Sequence, residues 1–360
     1  MKTFNPTKFT KTLTGKMNIP VGFSDPKIWI NSGNYALNRL ISGDYNKGIP
    51  LSKVTMFAGE SGSGKSLLAA FAMGQAQRND NAFIILLDSE GAGDKQWLIK
   101  AGVNVSKNKF MRIPVFTVDD VVKTIAEFIS DFKSSGSDQP ILIVLDSIGM
   151  LETNTGQEKW MKGNNAGDQG QLAKQLKKLV KNCVYLCEQT NIGFLFCNHT
   201  YESQDMFNPD QKISGGAGIV YASSIVIATR KAKLKEVNED FVIETTTGVQ
   251  GIKINVMVYK SRYNKPFEKT TIEVPWSTGI NPYSGLIEML ELDGTLVKVG
   301  NKLLYTDKDG VEHKYFRKRF TPELLDQIMA ENPCDVDKDA LKIAERHAME
   351  MEMELEEVNG

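Results

Sequence analysis

Residues 54 to 66, VTMFAGESGSGKS, run from an apolar, β-forming stretch straight into a glycine-rich loop, and the helix-forming LLAAFAMGQAQ follows at once. G-x-x-x-x-G-K-S between a strand and a helix is a cradle for phosphate groups. Gly59, Gly62 and Gly64 let the backbone wrap the phosphates. Successive N–H groups of Glu60, Ser61, Ser63, Lys65, Ser66 and Leu67, together with the helix N-terminus, receive their negative charge. Lys65 reaches the β- and γ-phosphates, and Ser66 offers its hydroxyl to Mg²⁺.

Such a loop needs a strand to end beside it, and the chain supplies a series of them. FIILLD at 83, FMRIPV at 110, ILIVLD at 141, GFLFCN at 193 and SIVIAT at 224 are apolar runs, and amphipathic stretches such as Val118 to Lys133 and Gln171 to Gln189 separate them. Near-continuous apolar strands alternating with helices indicate an α/β fold, a mostly parallel twisted sheet covered by helices on both faces. IKINVMVYK at 252 and KTTIEV at 269 have no helix between them and extend the sheet antiparallel. A small α+β module is expected after STGINPYSG at 277: a helix through Leu292, a hairpin turning at Asp309-Gly310, a helix from Thr321-Pro322 and a charged last helix. The expected division is a short N-terminal arm and lead-in, 1–45, a core, 46–280, and a C-terminal module, 281–360.

No apolar run approaches the roughly 20 residues of a membrane span, and MKTFNPTKFTKTLT lacks the apolar stretch of a secretory signal, so a cytoplasmic protein without membrane contact is expected. Cys183, Cys187, Cys197 and Cys334 fit neither a disulfide framework nor a zinc pattern. The net charge of −1 hides an asymmetry: residues 331 to 360 hold ten Asp or Glu against three Lys or Arg, a balance of −7, which leaves +6 on the rest. A basic body with an acidic tail points to nucleic-acid contact, and a solvated helix face accounts for it equally well.

Two carboxylates stand where phosphate chemistry needs them. Asp146 ends the strand ILIVLD, beside the phosphate loop in a doubly wound sheet, and would hold the Mg²⁺ shell. Glu90, in Asp88-Ser89-Glu90, is placed to orient and deprotonate an attacking water. Residues 197 to 218, CNHTYESQDMFNPDQKISGGAG, show no clear periodicity, which inside a compact domain marks a functional or disordered loop.

D-S-E followed by G-x-x-D and an aromatic, the L-D-S around Asp146, the loop opening at Asn198-His199 and SGGAGIVYASS at 214 resemble RecA-family recombinases in order and spacing. NHTYESQDMF, YKSR and GINPYSGL bring the likeness nearest to the bacteriophage UvsX type, over about residues 18 to 292. The resemblance implies a RecA-like P-loop ATPase core using ATP and Mg²⁺, with Glu90 as the catalytic glutamate and Asp94 and Trp97 flanking adenine. It implies that His199 stands where RecA has a γ-phosphate-sensing glutamine. Lys260 and Arg262 match the cations that one subunit inserts into its neighbour's ATP site.

It further implies two DNA-binding loops. One is Gly149 to Gly170, with Trp160, Lys162, Asn164 and Asn165; the other is Thr200 to Gly218, with Tyr201, Met206, Phe207, Lys212, Gly215 and Gly216. The expected protein is a DNA-dependent ATPase that forms helical homo-oligomers on single-stranded DNA and exchanges strands with a homologous duplex, aided by mediator and single-strand-binding proteins, in the host cytoplasm if viral. A hexameric helicase of the same fold is the leading alternative. A P-loop kinase or ATP-binding switch that ignores DNA is the other.

Overall fold

Val54–Gly59 is buried at every position, as a strand with helices on both sides must be. The computed structural model describes residues 5–17, 21, 24–91, 93–164, 170–188, 190–202, 211–235 and 248–332. In chain order its first elements are α1 (Pro6–Lys16), β1 (Trp29–Ile30), α2 (Tyr35–Ser42), β2 (Ile49–Pro50) and β3 (Val54–Gly59). There follow α3 (Lys65–Asn79), β4 (Phe83–Asp88), α4 (Lys95–Lys100), β5 (Phe110–Pro114), α5 (Val118–Ser135) and β6 (Ile141–Asp146). Next come α6 (Asn154–Met161), α7 (Gln171–Cys187), β7 (Ile192–Glu202), β8 (Gln211–Ile213), α8 (Ala217–Ala222), β9 (Ile225–Lys235), β10 (Val249–Lys260) and β11 (Lys269–Pro275). The last are α9 (Leu286–Leu292), β12 (Leu296–Val299), β13 (Lys302–Thr306), β14 (Glu312–Tyr315) and α10 (Pro322–Glu331).

The main sheet has the order β11-β10-β9-β3-β7-β6-β4-β5. From β9 to β5 every pairing is parallel, and β10 and β11 join antiparallel, as the uninterrupted runs at 252 and 269 lead one to expect. Alternate residues of β3 serve opposite cores: Phe57 faces the cluster with α2 and α3, while Val54, Met56 and Ala58 face the cluster with α5 and α7. α3 brings Ala69, Ala70, Ala72 and Ala76 to the first core, side chains small enough for a helix to lie close on the sheet. β12, β13 and β14 form a separate antiparallel sheet, with Gly310 at φ 79° in the turn expected at Asp309-Gly310, and Thr321 caps α10.

Both segments read as irregular carry regular structure. Within 149–170 lies α6, because the buried Thr153 accepts the N–H of Gly156 and so caps a helix. Within 200–218, β7 continues to Glu202 and pairs antiparallel with β8, Thr200 opposite Ile213, and α8 follows. Met206 and Phe207 lie outside the described residues, as do Asn165 and the charged segment from 333 onward. α1 buries none of its residues.

Arg39 of α2 bridges Glu268, between β10 and β11, and Asp293, just after α9. Its guanidinium lies 2.7 Å from Glu268 and 2.5 Å from Asp293, and Tyr45 donates a further hydrogen bond to Asp293 at 2.7 Å. With Arg39 removed, two half-buried carboxylates lose their counter-charge. Arg39→Ala is expected to cost about 3 kcal/mol, read as a lower urea midpoint, whereas an exposed lysine such as Lys47 changed to alanine should cost under about 1 kcal/mol.

Candidate nucleotide site and its link to two loops

The phosphate loop is closed by its own lysine. Lys65 donates from Nζ to the carbonyls of Gly59 at 3.0 Å and Glu60 at 2.8 Å, so the ammonium lies across the cradle. Burial holds this ammonium below its usual range, against the pull of anionic groups that include Glu90 and Asp146. Ser63 is fully buried, its hydroxyl 2.8 Å from that of Thr229 on β9. Gly64, at φ 94°, sits under Ile254 with no room for a Cβ, so the turn into α3 needs glycine both for its backbone and for this approach. Glu60 and Ser61 are exposed; Ser66 and Leu67 are half-buried.

β6 ends at Asp146 beside this loop. Burial pushes its carboxyl above the usual range, while the Ser66 hydroxyl pulls it down. Asp146 Oδ1 is buried without a hydrogen-bond partner among the described residues. A buried, unpaired carboxylate oxygen next to a serine hydroxyl suits a hard divalent cation, which takes oxygen ligands, so the residues present fit Mg²⁺. A cavity of about 250 Å³ is lined by Ser66, Asp146, Asp88, Gly93, Trp97 and Leu98, which brings the expected metal ligands and the expected adenine-side aromatic to one space. A wider cleft of about 1180 Å³ lies over Arg230, Lys253, Tyr259 and Lys269 and reaches Ala58 of β3 and the Thr200–Ile213 root of the second loop.

The loop that carries Glu90 is built around Asp88, which the sequence reading did not single out. This carboxylate is 3% exposed and accepts the N–H groups of Glu90 (3.2 Å), Gly91 (2.8 Å) and Gly93 (3.1 Å). Arg112 on the edge strand β5 pairs with it through Nε at 2.8 Å and Nη2 at 2.6 Å. The next residue fastens the loop to β6: the Ser89 hydroxyl donates to the Ser147 carbonyl at 2.7 Å and accepts its N–H at 2.8 Å. Asp94 caps α4 by accepting the N–H of Trp97 at 2.9 Å, and the half-buried indole packs against the core.

Glu90 points back across the sheet. Its Oε1 lies 2.8 Å from His199 Nε2, both side chains being little more than a quarter exposed. His199 sits where β7 leaves the sheet, and the fully buried Asn198 beside it holds both loop roots. Asn198 donates to the Ser214 carbonyl at 2.9 Å and accepts the His199 N–H at 2.9 Å, and a Cβ on Gly149 would come within 2.8 Å of its Oδ1. Trp160, Lys162, Asn164, Tyr201, Lys212 and Gly216 are exposed around these roots, and Trp160 is followed by an equally bare Met161 that the reading passed over. Gly215 is half-buried at φ 82°, against Ile219 and Leu176.

Lys260 and Arg262 are not part of this site. Lys260 pairs with Val226 on β9, level with Met56, whereas the phosphate loop leaves β3 at Gly59. The two cations therefore lie toward the opposite edge of the sheet, roughly 10 Å back along the strand direction.

The RecA N-terminal domain family model matches residues 24–281. Protein RecA of Thermus aquaticus is 27% identical over 307 residues, covering 83% of this chain and 83% of its own length. The recombination and repair protein of Enterobacteria phage T4 is 26% identical over 294 residues, 81% of this chain and 70% of its own. Protein RecA of Aquifex aeolicus is 27% identical over 288 residues, 78% and 77% of the two chains.

Asp88→Ala leaves three loop amides without their acceptor and Arg112 without its partner. The expected result is a loss of about tenfold in affinity for a fluorescent ATP analogue. Unchanged affinity in a folded variant would show that the loop holds its shape without Asp88.

Proposed function

This chain belongs to the RecA family, and we propose that it is an ATP-dependent recombinase that coats single-stranded DNA, pairs it with a homologous duplex and hydrolyses ATP when DNA is bound. The observation that supports this best is the 2.8 Å contact between Glu90 and His199, which ties the candidate catalytic carboxylate to the root of a candidate DNA loop. A kinase or a DNA-indifferent switch has no use for that tie. The helicase alternative draws no support from relatives whose names are RecA and recombination and repair protein.

In this reading the loop amides and Lys65 hold the β- and γ-phosphates, and Lys65 leaves the carbonyls of Gly59 and Glu60 to do so. Ser66 and Asp146 hold Mg²⁺, which when bound neutralises charge on the phosphate oxygens. Trp97 and Asp94 flank the adenine, a flat aromatic serving by stacking. Glu90 orients a water and takes its proton. While His199 is bonded to Glu90, one carboxylate oxygen is engaged. A γ-phosphate draws the imidazole toward itself, and the move alters both Glu90 and the strand that leads into the second loop.

The two loops grip the strand. Lys162 and Lys212 meet phosphates, as do the amides near Gly215 and Gly216; Trp160, Tyr201, Met206 and Phe207 pack against or between bases; Asn164 and Asn165 supply polar contacts. Homology is tested by base pairing, so the protein needs no sequence preference. Lys260 and Arg262, which lie away from their own ATP site, fit delivery to a neighbour's, a head-to-tail contact that propagates a helical filament. Residues 1–45 then serve as a subunit tether, 46–280 as the ATPase and DNA-binding core, and 281–360 as a C-terminal module. Mediator and single-strand-binding proteins and a cytoplasmic setting complete the proposal. No helix among the described residues is long and apolar enough to cross a membrane.

A strand-pairing assay with single-stranded DNA and a homologous supercoiled duplex tests this reading. Joint molecules are expected for the wild type with ATP, and none for the wild type without nucleotide or for Lys65→Ala. Products at wild-type level from Lys65→Ala would contradict it.

A further inference from the structure

β9 carries two adjacent cations, and the alternation of a strand sends them to opposite faces of the sheet. Arg230 lines the wide cleft, while Lys231 lies on the side of the phosphate loop. Thr229, two residues before Lys231 and on the same face, stands level with Gly59 of β3 and shares a hydrogen bond of 2.8 Å with the Ser63 hydroxyl. Ile254, directly opposite Lys231 in the pairing of β9 with β10, covers Gly64. Thr229, Lys231 and Ile254 thus make a floor on which the loop rests.

Thr229 and Ile254 are buried supports, whereas Lys231 is exposed and charged. Its ammonium is 3.4 Å from the Ser61 carbonyl, and a Cβ added to Gly62, at φ 70°, would stand 2.9 Å from Nζ. Glycine at 62 therefore lets the cation lie against the tip of the loop. A hydrogen bond of 3.4 Å is long, and an exposed ammonium on a four-carbon stem leaves it at little cost. Lys65, by contrast, is buried and held by two carbonyls at 3.0 and 2.8 Å.

The acceptor of Lys231 directly follows Glu60, whose carbonyl holds Lys65, so two ammonium groups meet neighbouring carbonyls at one end of the loop. Lys65 serves the β- and γ-phosphates. A cation one carbonyl further along is within reach of the same end of a triphosphate, where ATP carries a charged group that ADP lacks. Glu60, Glu90 and Asp146 act on Lys65 through their charge, so the site holds negative groups of its own before any phosphate enters. A second cation offsets what Lys65 and Mg²⁺ leave over.

We propose that Lys231 is a second cation of the ATP site, supplied by the same subunit, which leaves the Ser61 carbonyl to bind the terminal phosphate and so lets the site tell ATP from ADP. This rests on the reading that the loop holds ATP. Lysine suits the task, being a compact charge on a flexible stem that can travel between two acceptors. Once the terminal phosphate departs, Lys231 returns to the loop tip.

Equilibrium binding to the full-length protein without DNA, at fixed salt and magnesium, tests this with a fluorescent non-hydrolysable ATP analogue and fluorescent ADP. Lys231→Met is expected to weaken the ATP analogue about tenfold and to leave ADP within about twofold of wild type, because only the analogue has the phosphate that the cation meets. Lys231→Arg should keep most of the preference, and Arg230→Met should alter neither affinity. An equal loss for both nucleotides in Lys231→Met would reduce the lysine to a support for the loop, and unchanged affinity for both would make it a surface charge; either result overturns the proposal. Weaker binding of oligo(dT) by nucleotide-free Lys231→Met would assign the cation to DNA and overturn it too. A wild type that bound neither nucleotide would instead remove the ATP reading and the proposal with it.

Discussion

A single hydrogen bond between Glu90 and His199, 2.8 Å long, joins two parts of this molecule that the chain keeps more than a hundred residues apart. On one side stands the carboxylate proposed to activate water. On the other is the exit of β7, from which the second candidate DNA loop departs. The central claim is that nucleotide and DNA each act on this contact, so that binding of either alters the affinity for the other. Linkage then makes the effect mutual, and couplings of this kind are typically about 1–3 kcal/mol.

That contact depends on scaffolding that is not itself reactive. Asp88 gathers the loop amides around one buried carboxylate and draws Arg112 over from the edge strand, while Ser89 fixes the next residue to β6. Asn198 does the same at the far end, holding Ser214 and crowding Gly149. Glu90 and His199 are left as the partly exposed pair between two rigid supports. The parallel register matters as well: β3, β7, β6 and β4 end side by side, which is why Gly59, His199, Asp146 and Asp88 all emerge at one edge.

Much of this was legible in the chain, for physical reasons. The phosphate loop is a backbone structure whose glycines and lysine have fixed spacing, so it declares itself, and Asp146 and Glu90 follow strands of obvious apolar character. The resemblance gave Glu90 and His199 separate roles, and their partnership was not foreseen, since a histidine after a strand has many structural uses. Arg112 could not be found at all: it sits 24 residues beyond Asp88 and meets it only because β5 and β4 are neighbours. α6 was hidden because a threonine cap outweighed a polar, glycine-containing sequence, and the pairing of β7 with β8 because the sequence between them carries no clear hairpin signal. The hydrogen bonds of Lys260 go to the carbonyls of Val220, Tyr221 and Ser223, and carbonyls carry no sequence signature.

The coupling is tested most directly by the affinity for fluorescent oligo(dT), at fixed salt and magnesium, with a non-hydrolysable ATP analogue, with ADP and without nucleotide. The account predicts that the analogue tightens binding by about tenfold or more over the nucleotide-free protein, and that His199→Ala loses most of this difference. An affinity for the wild type that is the same in all three conditions would contradict it.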